Sequence, residues 1–367
     1  MTRTAERRAA LRATAARRGL DAVLVTNLLN VRYLTGFTGS NGALLLRVDG
    51  ADLLGTDGRY TTQAAAQAPD VEILVDRSIL ARLAREAVRR GTGRLGYESH
   101  DLTVDGFAQL QKVLEVAADG RSIPEPVSVR RAVEAQRAIK HDDEIELLRR
   151  ACAVADQALA ELAAEGALRP GRTELEVGRE LDARMLALGA EAPSFETIVA
   201  AGANSAIPHH RPDATVLNDG DFLKLDFGAT VEGYHSDMTR TVVLGHAADW
   251  QREVYELVAA AQAAGRAALA VGADVVDVDA ASREVIVAAG HGEHFSHGLG
   301  HGVGLEIHEA PSIGPLGAGS LAAGMAVTVE PGVYLPGHGG VRIEDTLIIT
   351  DDAPELLTLT SKDLLVL

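Results

Sequence analysis

The chain has 367 residues, 47% of them hydrophobic and 24% charged, which predicts a globular protein large enough for two domains. Its formal net charge of −17, from 52 acidic and 35 basic residues, argues against nucleic acid or an anionic membrane as the main partner. The single cysteine, Cys152, excludes an intrachain disulfide, and we expect it to be buried because it lies in an alanine-rich helical stretch.

Helices and strands alternate over residues 1–130, which we predict to form one α/β domain with a mixed sheet. The expected elements are helix 4–18, strand 21–26, strand 42–48, a strand within 51–57, helix 60–68, strand 71–76, helix 78–90, a strand within 94–99 and helix 104–117. The first helix is rich in arginine and could be an organellar transit peptide. An amphipathic surface helix that precedes a strand fits better, so we expect a cytoplasmic protein.

Residues 30–41, NVRYLTGFTGSN, are predicted to be a glycine-rich turn that leads into a strand. The turn lacks the Lys-Ser/Thr ending of a phosphate-binding loop, so we do not expect a nucleotide. No stretch of the chain approaches the ~20 apolar residues of a membrane span.

Residues 119–126 contain two prolines and a glycine and are the predicted linker to a second domain, residues 131–367. The elements expected in the second domain are helix 141–165, a helix from the capping box at 173–176 to 188, strand 194–202, loop 204–213, an acidic hairpin at 222–243, helices 249–271 and 277–289, and a second acidic hairpin at 326–349.

The first acidic hairpin, FLKLDFGATVEGYHSDMTRTVV, consists of two predicted strands joined by a short turn. A turn centred on Val231 and Glu232 would put Asp226 directly opposite Asp237, with side chains on one face about 4.5–5.5 Å apart. Two carboxylates this close repel unless one is protonated or a cation lies between them. The hairpin therefore indicates a divalent cation.

The second acidic hairpin shows the same arrangement. Its turn signal at residues 336–338, Pro-Gly-His, puts Glu330 opposite Glu344. Pro331 cannot donate a hydrogen bond to the ladder, so it indicates an edge or a bulge at which the register could slip by one residue. Two such hairpins in one chain predict a shared site.

The charges of these four carboxylates match those of two divalent cations. A histidine cluster, HGLGH at 297–301, adds imidazole groups as further candidate ligands. In two-metal sites the ions lie about 3.5–4 Å apart and clamp both the attacking and the leaving group of a displacement. Oxygen donors with one imidazole suit manganese, cobalt or zinc better than copper or an iron–sulfur cluster. We expect two divalent ions per subunit, and the donor set alone leaves manganese, cobalt and zinc open.

Residues 194–350 resemble the catalytic domain of the pita-bread metallopeptidases, in particular their Xaa-Pro branch, aminopeptidase P and prolidase. The resemblance rests on PHH at 208–210, LDFGATVEGYHSDMTRT at 225–241, HGLGHGVGLEIHE at 297–309, VEPGVY at 329–334 and RIED at 342–345. Residues 1–130 are similar to the smaller, creatinase-like N-terminal domain of this family, which methionine aminopeptidases usually lack. The motifs there are NVRYLTGFTGS at 30–40 and TDGRY at 56–60.

The resemblance implies a role for each matching residue. The implied metal ligands are Asp226, Asp237, His301, Glu330 and Glu344, of which Asp237 and Glu344 would bridge both ions. The implied catalytic residues are His209, His308, Glu330 and Arg342. His209 would contact the substrate or an intermediate and His308 the scissile carbonyl or the proline side. Glu330 would pass a proton to the leaving nitrogen, and Arg342 would support the bridging acids. His297 would line the pocket, Tyr334 would donate a hydrogen bond near the reacting centre, and His210 would be structural.

The implied activity is hydrolysis of the bond between an N-terminal residue and proline, on peptides with proline at the second position. Relatives that keep the fold but lose the metal carboxylates include creatinase-like and binding-only proteins. All five ligand positions are retained here, which favours an enzyme over a pita-bread binding protein. Family members are commonly dimers or tetramers, so we expect a homodimer or a homotetramer.

The choice between aminopeptidase and dipeptidase depends on Ser312. Prolidases typically hold the carboxylate of a free proline with an arginine shortly after the HE motif, and Ser312 stands where many relatives carry that arginine. The missing guanidinium removes a bidentate carboxylate anchor. We therefore expect an Xaa-Pro aminopeptidase. An Xaa-Pro dipeptidase (prolidase) is the alternative, since Arg32, Arg59 or a second subunit could supply the cation.

Overall fold

The structure is a computed structural model that describes residues 2–367. Its contacts divide the chain into two compact units, the first ending at Arg137 and the second beginning at Ala138. Both units contain helices and strands, so the predicted α/β class is confirmed. Among the described residues, no helix combines the length and the apolar character needed to cross a membrane.

The first unit is built on a six-stranded mixed sheet. Its helices are α1 (Arg3–Arg17), α2 (Leu28–Thr35), α3 (Thr61–Gln67), α4 (Ile79–Arg89), α5 (Val104–Ala118) and α6 (Glu134–Arg137). Its strands are β1 (Ala22–Val25), β2 (Gly42–Arg47), β3 (Leu53–Thr56), β4 (Glu72–Val75), β5 (Arg94–Tyr97) and β6 (Glu125–Ser128). The strand order is β4-β3-β2-β1-β5-β6, with antiparallel pairs in the middle and parallel pairs at both edges. Leucines of α4 and α5 pack against the sheet.

The turn predicted over residues 30–41 is wrong in its first half, where the chain forms α2. The Asn27 side chain caps this helix by accepting hydrogen bonds from two backbone N–H groups of its first turn. Gly36 ends it with a φ of 82°, a left-handed conformation that costs glycine little. Arg32 therefore lies in a helix rather than in a loop.

Residues 119–126, predicted to be the interdomain linker, instead connect α5 to the edge strand β6 within the first unit. The division between the units lies farther along the chain, because α6 is bonded to the first unit. Arg137 Nη1 donates to Asn30 Oδ1 at 2.8 Å, and Asn30 Nδ2 donates to Glu134 Oε1 at 2.8 Å. The boundary expected between residues 130 and 131 precedes α6.

The second unit carries the predicted acidic hairpins. Its helices are α7 (Asp142–Ala164), α8 (Glu174–Ala187), α9 (Asp249–Ala267) and α10 (Val275–Ala288), with 3₁₀ turns at Gly202–Ala206 and Gly292–His294. Its strands are β7 (Ala192–Pro193), β8 (Ile198–Ala201), β9 (Phe222–Phe227), β10 (Ala229–Val231), β11 (Tyr234–His235), β12 (Met238–Val243), β13 (Gly300–Gly302), β14 (Glu309–Ile313), β15 (Ala326–Val329), β16 (Gly332–Leu335), β17 (Gly339–Arg342), β18 (Asp345–Ile348) and β19 (Glu355–Leu356).

Each pair of helices packs against one of the acidic hairpins. The core under α7 and α8 includes Leu159, Leu181, Leu223, Leu225 and Val242. The core under α9 and α10 includes Val258, Val278, Val327, Val329 and Leu347. These buried faces leave the opposite faces of the hairpins for polar side chains.

The predicted register of the first hairpin is wrong by two residues: Asp226 of β9 pairs with Thr239 of β12, not with Asp237. The turn is centred on Glu232 and Gly233, with φ of 46° and 76°. Both central residues of such a hairpin turn need positive φ, which a β-branched valine at 231 adopts poorly. A slip of two residues preserves the side-chain face, so Asp237 stays on the face of Asp226.

The predicted register of the second hairpin is confirmed. Gly332 pairs with Arg342 in the β16–β17 ladder, and Val329 pairs with Asp345 in the β15–β18 ladder, so one register runs through both. The ladder is interrupted at Pro331, as expected for a residue without an N–H group. Glu330 and Glu344 lie at this interruption.

Candidate active site

A cavity of about 530 Å³ in the second unit is lined by residues of both acidic hairpins. The sequence-predicted residues that line it are Asp226, Asp237, His301, Glu330, Glu344, His209, His308, Arg342 and His297. Tyr334 is the exception: its hydroxyl lies behind His297, 2.8 Å from the His297 Nε2 atom.

The acidic part of the cavity is compact and largely buried. His301 Nε2 lies 3.5 Å from Asp237 Oδ2 and 3.3 Å from Glu330 Oε1. Asp237, His301 and Glu344 each offer a ligand atom within 4.8 Å of the other two. Asp226, Asp237 and Glu344 are 7%, 5% and 1% exposed, so water screens their charges little.

This crowding shifts the pKa values of the acids. Burial, followed by the charge of a neighbouring glutamate, raises the pKa of both Asp237 and Glu344 well above the usual range. Burial also raises the pKa of Glu330, but the hydrogen bond and charge of His301 outweigh it and bring that pKa down to about 2. Burial lowers the pKa of His301. The hydrogen bond and the negative charge of Glu330 outweigh that effect, so the net result is a raised His301 pKa.

The donor atoms in the cavity fit divalent cations. Asp226 Oδ1 and Glu344 Oε1 are buried and have no hydrogen-bond donor among the described residues. His301 Nδ1 donates to the Gly302 carbonyl at 3.0 Å, so in the neutral imidazole the Nε2 lone pair faces two carboxylate oxygens. Buried lone pairs this close need a shared positive partner, and carboxylates with one imidazole suit a divalent ion. These residues therefore fit the metal predicted from the sequence.

Arg342 is a buried cation that contacts these acids. It is 2% exposed, and its Nη2 donates to Asp226 Oδ2. Its Nη1 donates to the Tyr334 hydroxyl at 2.9 Å, and its Nε donates to Thr239 Oγ1 at 2.9 Å. Arg342 thus contacts Asp226 directly and the expected bridging acid Glu344 only through Thr239.

A chain of hydrogen bonds orients Tyr334 and His297. His297 Nδ1 donates to the Gly298 carbonyl at 2.8 Å, so its Nε2 accepts the Tyr334 hydroxyl proton. The Tyr334 oxygen in turn accepts from Arg342. Burial raises the pKa of Tyr334 to about 12 and lowers the pKa of His297. Tyr334 therefore donates to His297 in this structure rather than into the cavity.

Two threonines that the sequence reasoning missed orient the acids. Thr239 Oγ1 donates to Glu344 Oε2 at 2.7 Å while accepting from Arg342. Thr328 Oγ1 donates to Glu330 Oε1 at 3.1 Å and accepts from the His301 backbone N–H at 3.0 Å. Each threonine lies two residues from an acid, which places the two side chains on the same strand face. This spacing is the sequence signal from which a threonine close to the acids could be predicted.

His209, His210 and His308 all line the cavity but have different surroundings. The His308 ring packs edge-on against His301 with 4.4 Å between centroids, and partial burial lowers its pKa. His209 is exposed. His210 Nε2 is hydrogen-bonded to Glu174 Oε2 at 2.7 Å, so it is occupied by the protein itself.

The remaining lining combines apolar side chains with one exposed ion pair. Phe195, Ile198 and Ile307 supply the apolar wall. Glu196 and Arg211 are paired through Arg211 Nε and Nη2, with distances of 2.7–3.0 Å, and their side chains are 62% and 79% exposed. Ser312 lines the same cavity and lies opposite His301 in the β13–β14 ladder.

A fold of this kind with a cluster of buried acids and histidine defines a metal-dependent hydrolase. Residues 146–351 match the model of metallopeptidase family M24, and residues 7–139 match the creatinase/prolidase N-terminal domain. The chain belongs to metallopeptidase family M24, and its predicted place in the Xaa-Pro branch, as an enzyme, is confirmed.

Three proteins illustrate the similarity. An Xaa-Pro dipeptidase of Pyrococcus furiosus is 35% identical over 94% of this chain and 95% of its own length. The structure of an Xaa-Pro dipeptidase from Bacillus anthracis superposes with a TM-score of 0.92 at 39% identity, covering 99% of this chain and 100% of that one. An X-Pro aminopeptidase from Thermotoga maritima MSB8 gives a TM-score of 0.89 at 32% identity, covering 98% and 99%.

Proposed function

We propose that this metallopeptidase is a dinuclear exopeptidase that hydrolyses the bond between an N-terminal residue and proline. The observation that carries the proposal is the buried acidic cluster, in which two carboxylate oxygens have no donor among the described residues. Asp226, Asp237, His301, Glu330 and Glu344 would hold the two ions, with Asp237 and Glu344 shared between them. Divalent cations bound there would polarise the scissile carbonyl and lower the pKa of water, with manganese ahead of cobalt or zinc.

The protein's own groups position the substrate and move the proton. Phe195, Ile198 and Ile307 would exclude water from the proline ring, and His209 and His308 would donate hydrogen bonds to the peptide carbonyls. Glu330 is ionised, with Oε1 held by Thr328, so its Oε2 would accept a proton from water and deliver it to the departing proline nitrogen. Arg342 would hold Asp226 through its Nη2 and the histidine–tyrosine chain through its Nη1.

We propose Xaa-Pro aminopeptidase as the finer activity. Ser312, in the strand next to His301, offers a hydroxyl where a guanidinium would be needed to hold the carboxylate of a free proline. Peptides longer than two residues have no carboxylate at that position and need no such anchor.

Xaa-Pro dipeptidase is the second candidate, and Arg211 favours it. Its pairing with Glu196 uses Nε and Nη2, so its Nη1 edge remains for a carboxylate. Dipeptidases are also among the relatives with high identity.

Comparing kcat/KM for Xaa-Pro dipeptides and for Xaa-Pro-Xaa tripeptides, with manganese added after chelation, tests both readings. A higher value on the tripeptide supports the aminopeptidase, and a higher value on the dipeptide supports the dipeptidase. No cleavage of either, or cleavage that resists the chelator, would contradict the proposal as a whole. The proposal includes the homodimer or homotetramer and the cytoplasmic location that we expect from the sequence. Light scattering tests the oligomeric state, and cell fractionation tests the location.

A further inference from the structure

The segment of residues 202–213, called here the histidine segment, brings His209 into the cavity. It begins with a 3₁₀ turn and continues without regular structure. It therefore lacks a ladder or helix of its own to fix the direction of His209. Its position has to come from contacts with the elements around it.

Lys224 on β9 supplies one set of these contacts. Its side chain is fully buried and has no ion pair with a carboxylate among the described residues. Its ammonium donates instead to three carbonyls of the histidine segment: Ser205 at 3.1 Å, Ile207 at 2.7 Å and Pro208 at 3.3 Å. All three donors of this buried cation are thus used by one short stretch of chain.

Glu174, at the first turn of α8, supplies the opposite set. It is also fully buried, and its carboxylate accepts from the Ala201 N–H at 2.7 Å, Asn204 Nδ2 at 3.0 Å, His210 Nε2 at 2.7 Å and the Asp213 N–H at 3.2 Å. Glu174, His210 and Asp213 are close enough to resemble a cation site. The four donors already occupy the Glu174 oxygens, so we interpret the group as an anchor.

Two buried ions of opposite charge thus hold the same segment, Lys224 by its carbonyls and Glu174 by its N–H groups and side chains. Burying an isolated ion is costly, and several short hydrogen bonds are needed to offset the lost hydration. The arrangement of the histidine segment in this structure satisfies both ions at once. Displacement of the segment would leave a charge buried without its donors or acceptors.

We propose that Glu174 and Lys224 are positioning residues for the peptidase reaction, acting through the histidine segment to hold His209 against the substrate. This inference rests on the proposed function and adds to it two residues that contact neither the acidic cluster nor the substrate. It also gives a role to His210, the residue next to His209: its hydrogen bond to Glu174 holds this part of the segment in place.

The test uses the full-length, manganese-loaded enzyme and the variant Glu174→Gln. Gln keeps the size of the side chain but turns an acceptor into a donor that opposes His210 and the Asp213 N–H. We expect kcat/KM on the better Xaa-Pro substrate to fall about 10- to 100-fold, as for a misplaced catalytic group, with metal content unchanged. Glu176→Gln is the matched control: Glu176 is exposed on the same helix turn, and Gln retains its capping hydrogen bond to Thr173.

A double-mutant cycle separates positioning from general destabilisation. If Glu174 acts through His209, adding Glu174→Gln to His209→Ala should lower kcat/KM by less than about twofold. Equal losses in both backgrounds, or a Glu174→Gln loss no larger than that of Glu176→Gln, would overturn the proposal. Lys224→Met should behave like Glu174→Gln. Should either buried variant fail to fold, the milder His210→Ala should lower kcat/KM and His210→Gln should restore it, because glutamine can again donate to Glu174.

Hydrogen exchange gives a readout independent of turnover. Glu174→Gln should speed deuterium uptake in peptides covering residues 201–213 and leave the rest of α8 unchanged, whereas unchanged uptake there would contradict the proposal. If the wild-type enzyme cleaves no Xaa-Pro peptide, the proposed function fails, and this comparison still decides whether Glu174 holds the segment.

Discussion

Asp226 lies directly opposite Thr239 in the ladder between β9 and β12. The threonine hydroxyl beside this aspartate donates to Glu344 and accepts from Arg342, and Arg342 donates to Asp226. One hydroxyl thus joins the acids of the two hairpins, whose positions differ by more than a hundred residues.

The variant Thr239→Val keeps the shape of this side chain and removes its hydrogen bonds. We expect metal affinity to fall about 10- to 100-fold, because the Glu344 carboxylate loses the group that orients it. Titration with manganese in a metal buffer measures the change.

Thr241→Val is the matched control, because Thr241 is on the same strand and, among the described residues, its hydroxyl bonds only to the backbone of Arg342. Its metal affinity should stay close to that of the wild type. Equal affinities in the wild type and Thr239→Val would show that the hydroxyl does not orient the ligand.

Asp237→Asn should abolish turnover without loss of the fold. The Asp237 charge is buried among other carboxylates, so neutralising it should raise the melting temperature of the metal-free protein, by about 2–4 °C for each kcal/mol gained. The stabilisation by metal, about 2.7 kcal/mol at a concentration 100 times Kd in the wild type, should be lost.

Calorimetry with and without manganese, alongside a peptide assay, checks both expectations for Asp237→Asn. Normal turnover would refute the proposed bridging role of Asp237. A lower melting temperature of the metal-free variant would show that the carboxylate stabilises the fold in its own right.

Ser312→Arg should move the preference of the enzyme toward dipeptides. A guanidinium beside His301 could bind the carboxylate of a free proline, and a charge-assisted hydrogen bond is worth about 1.5–3 kcal/mol, roughly tenfold or more in kcat/KM. The ratio of kcat/KM on Xaa-Pro to that on Xaa-Pro-Xaa measures the shift. Arg211→Gln is the companion variant: if Arg211 already binds that carboxylate, it should lower the same ratio in the wild type.

The His297 imidazole should make stability depend on pH. Burial lowers its pKa below the unfolded value of about 6.5, so the unfolded chain binds the proton more readily. The stability it contributes is complete above about pH 6.5 and is lost as the pH falls through the folded pKa, by at most about 1.4 kcal/mol per pH unit. Urea unfolding at pH 7.5, 6.5 and 5.5 should give a steeper decline for the wild type than for His297→Gln. Parallel curves would contradict this assignment.

Cys152 should resist thiol reagents until the protein unfolds. It lies fully buried in α7, as its alanine-rich surroundings predicted, and burial raises its pKa well above the usual range. Because it is the only cysteine, a disulfide reagent such as DTNB should give no signal from the native enzyme and one equivalent in denaturant. Rapid labelling of the native protein would show that α7 opens locally.

The two hairpins show where sequence reasoning succeeds and where it stops. The register of the second follows from the strong Pro-Gly turn signal and the break at Pro331. The register of the first depends on which residues take positive φ: the prediction centres the turn on Val231 and Glu232, whereas the structure centres it on Glu232 and Gly233. Alternation along a strand has a period of two, so the acids were still placed on the correct face.

The partners of the supporting residues could not be predicted, because these contacts join residues that are far apart in the chain. Thr239 meets Glu344 and Glu174 meets Asp213 only once the fold exists. A threonine on a strand and a glutamate in a first helical turn are ordinary residues at those positions. The sequence of α2, by contrast, contains signals for a helix, the Asn27 cap and the Gly36 stop. The glycine-rich run that follows it favours a turn instead, and the prediction followed that run.

The five acidic and imidazole groups come from separate strands and strand ends, between residues 226 and 344, and no short fragment contains a full set. In a nascent or refolding polypeptide, a cation can therefore bind only to single, isolated side chains. Metal ions can bind at this site only after both hairpins have packed together. Manganese supplied during refolding should therefore lower the unfolding rate of the native protein and leave its folding rate unchanged.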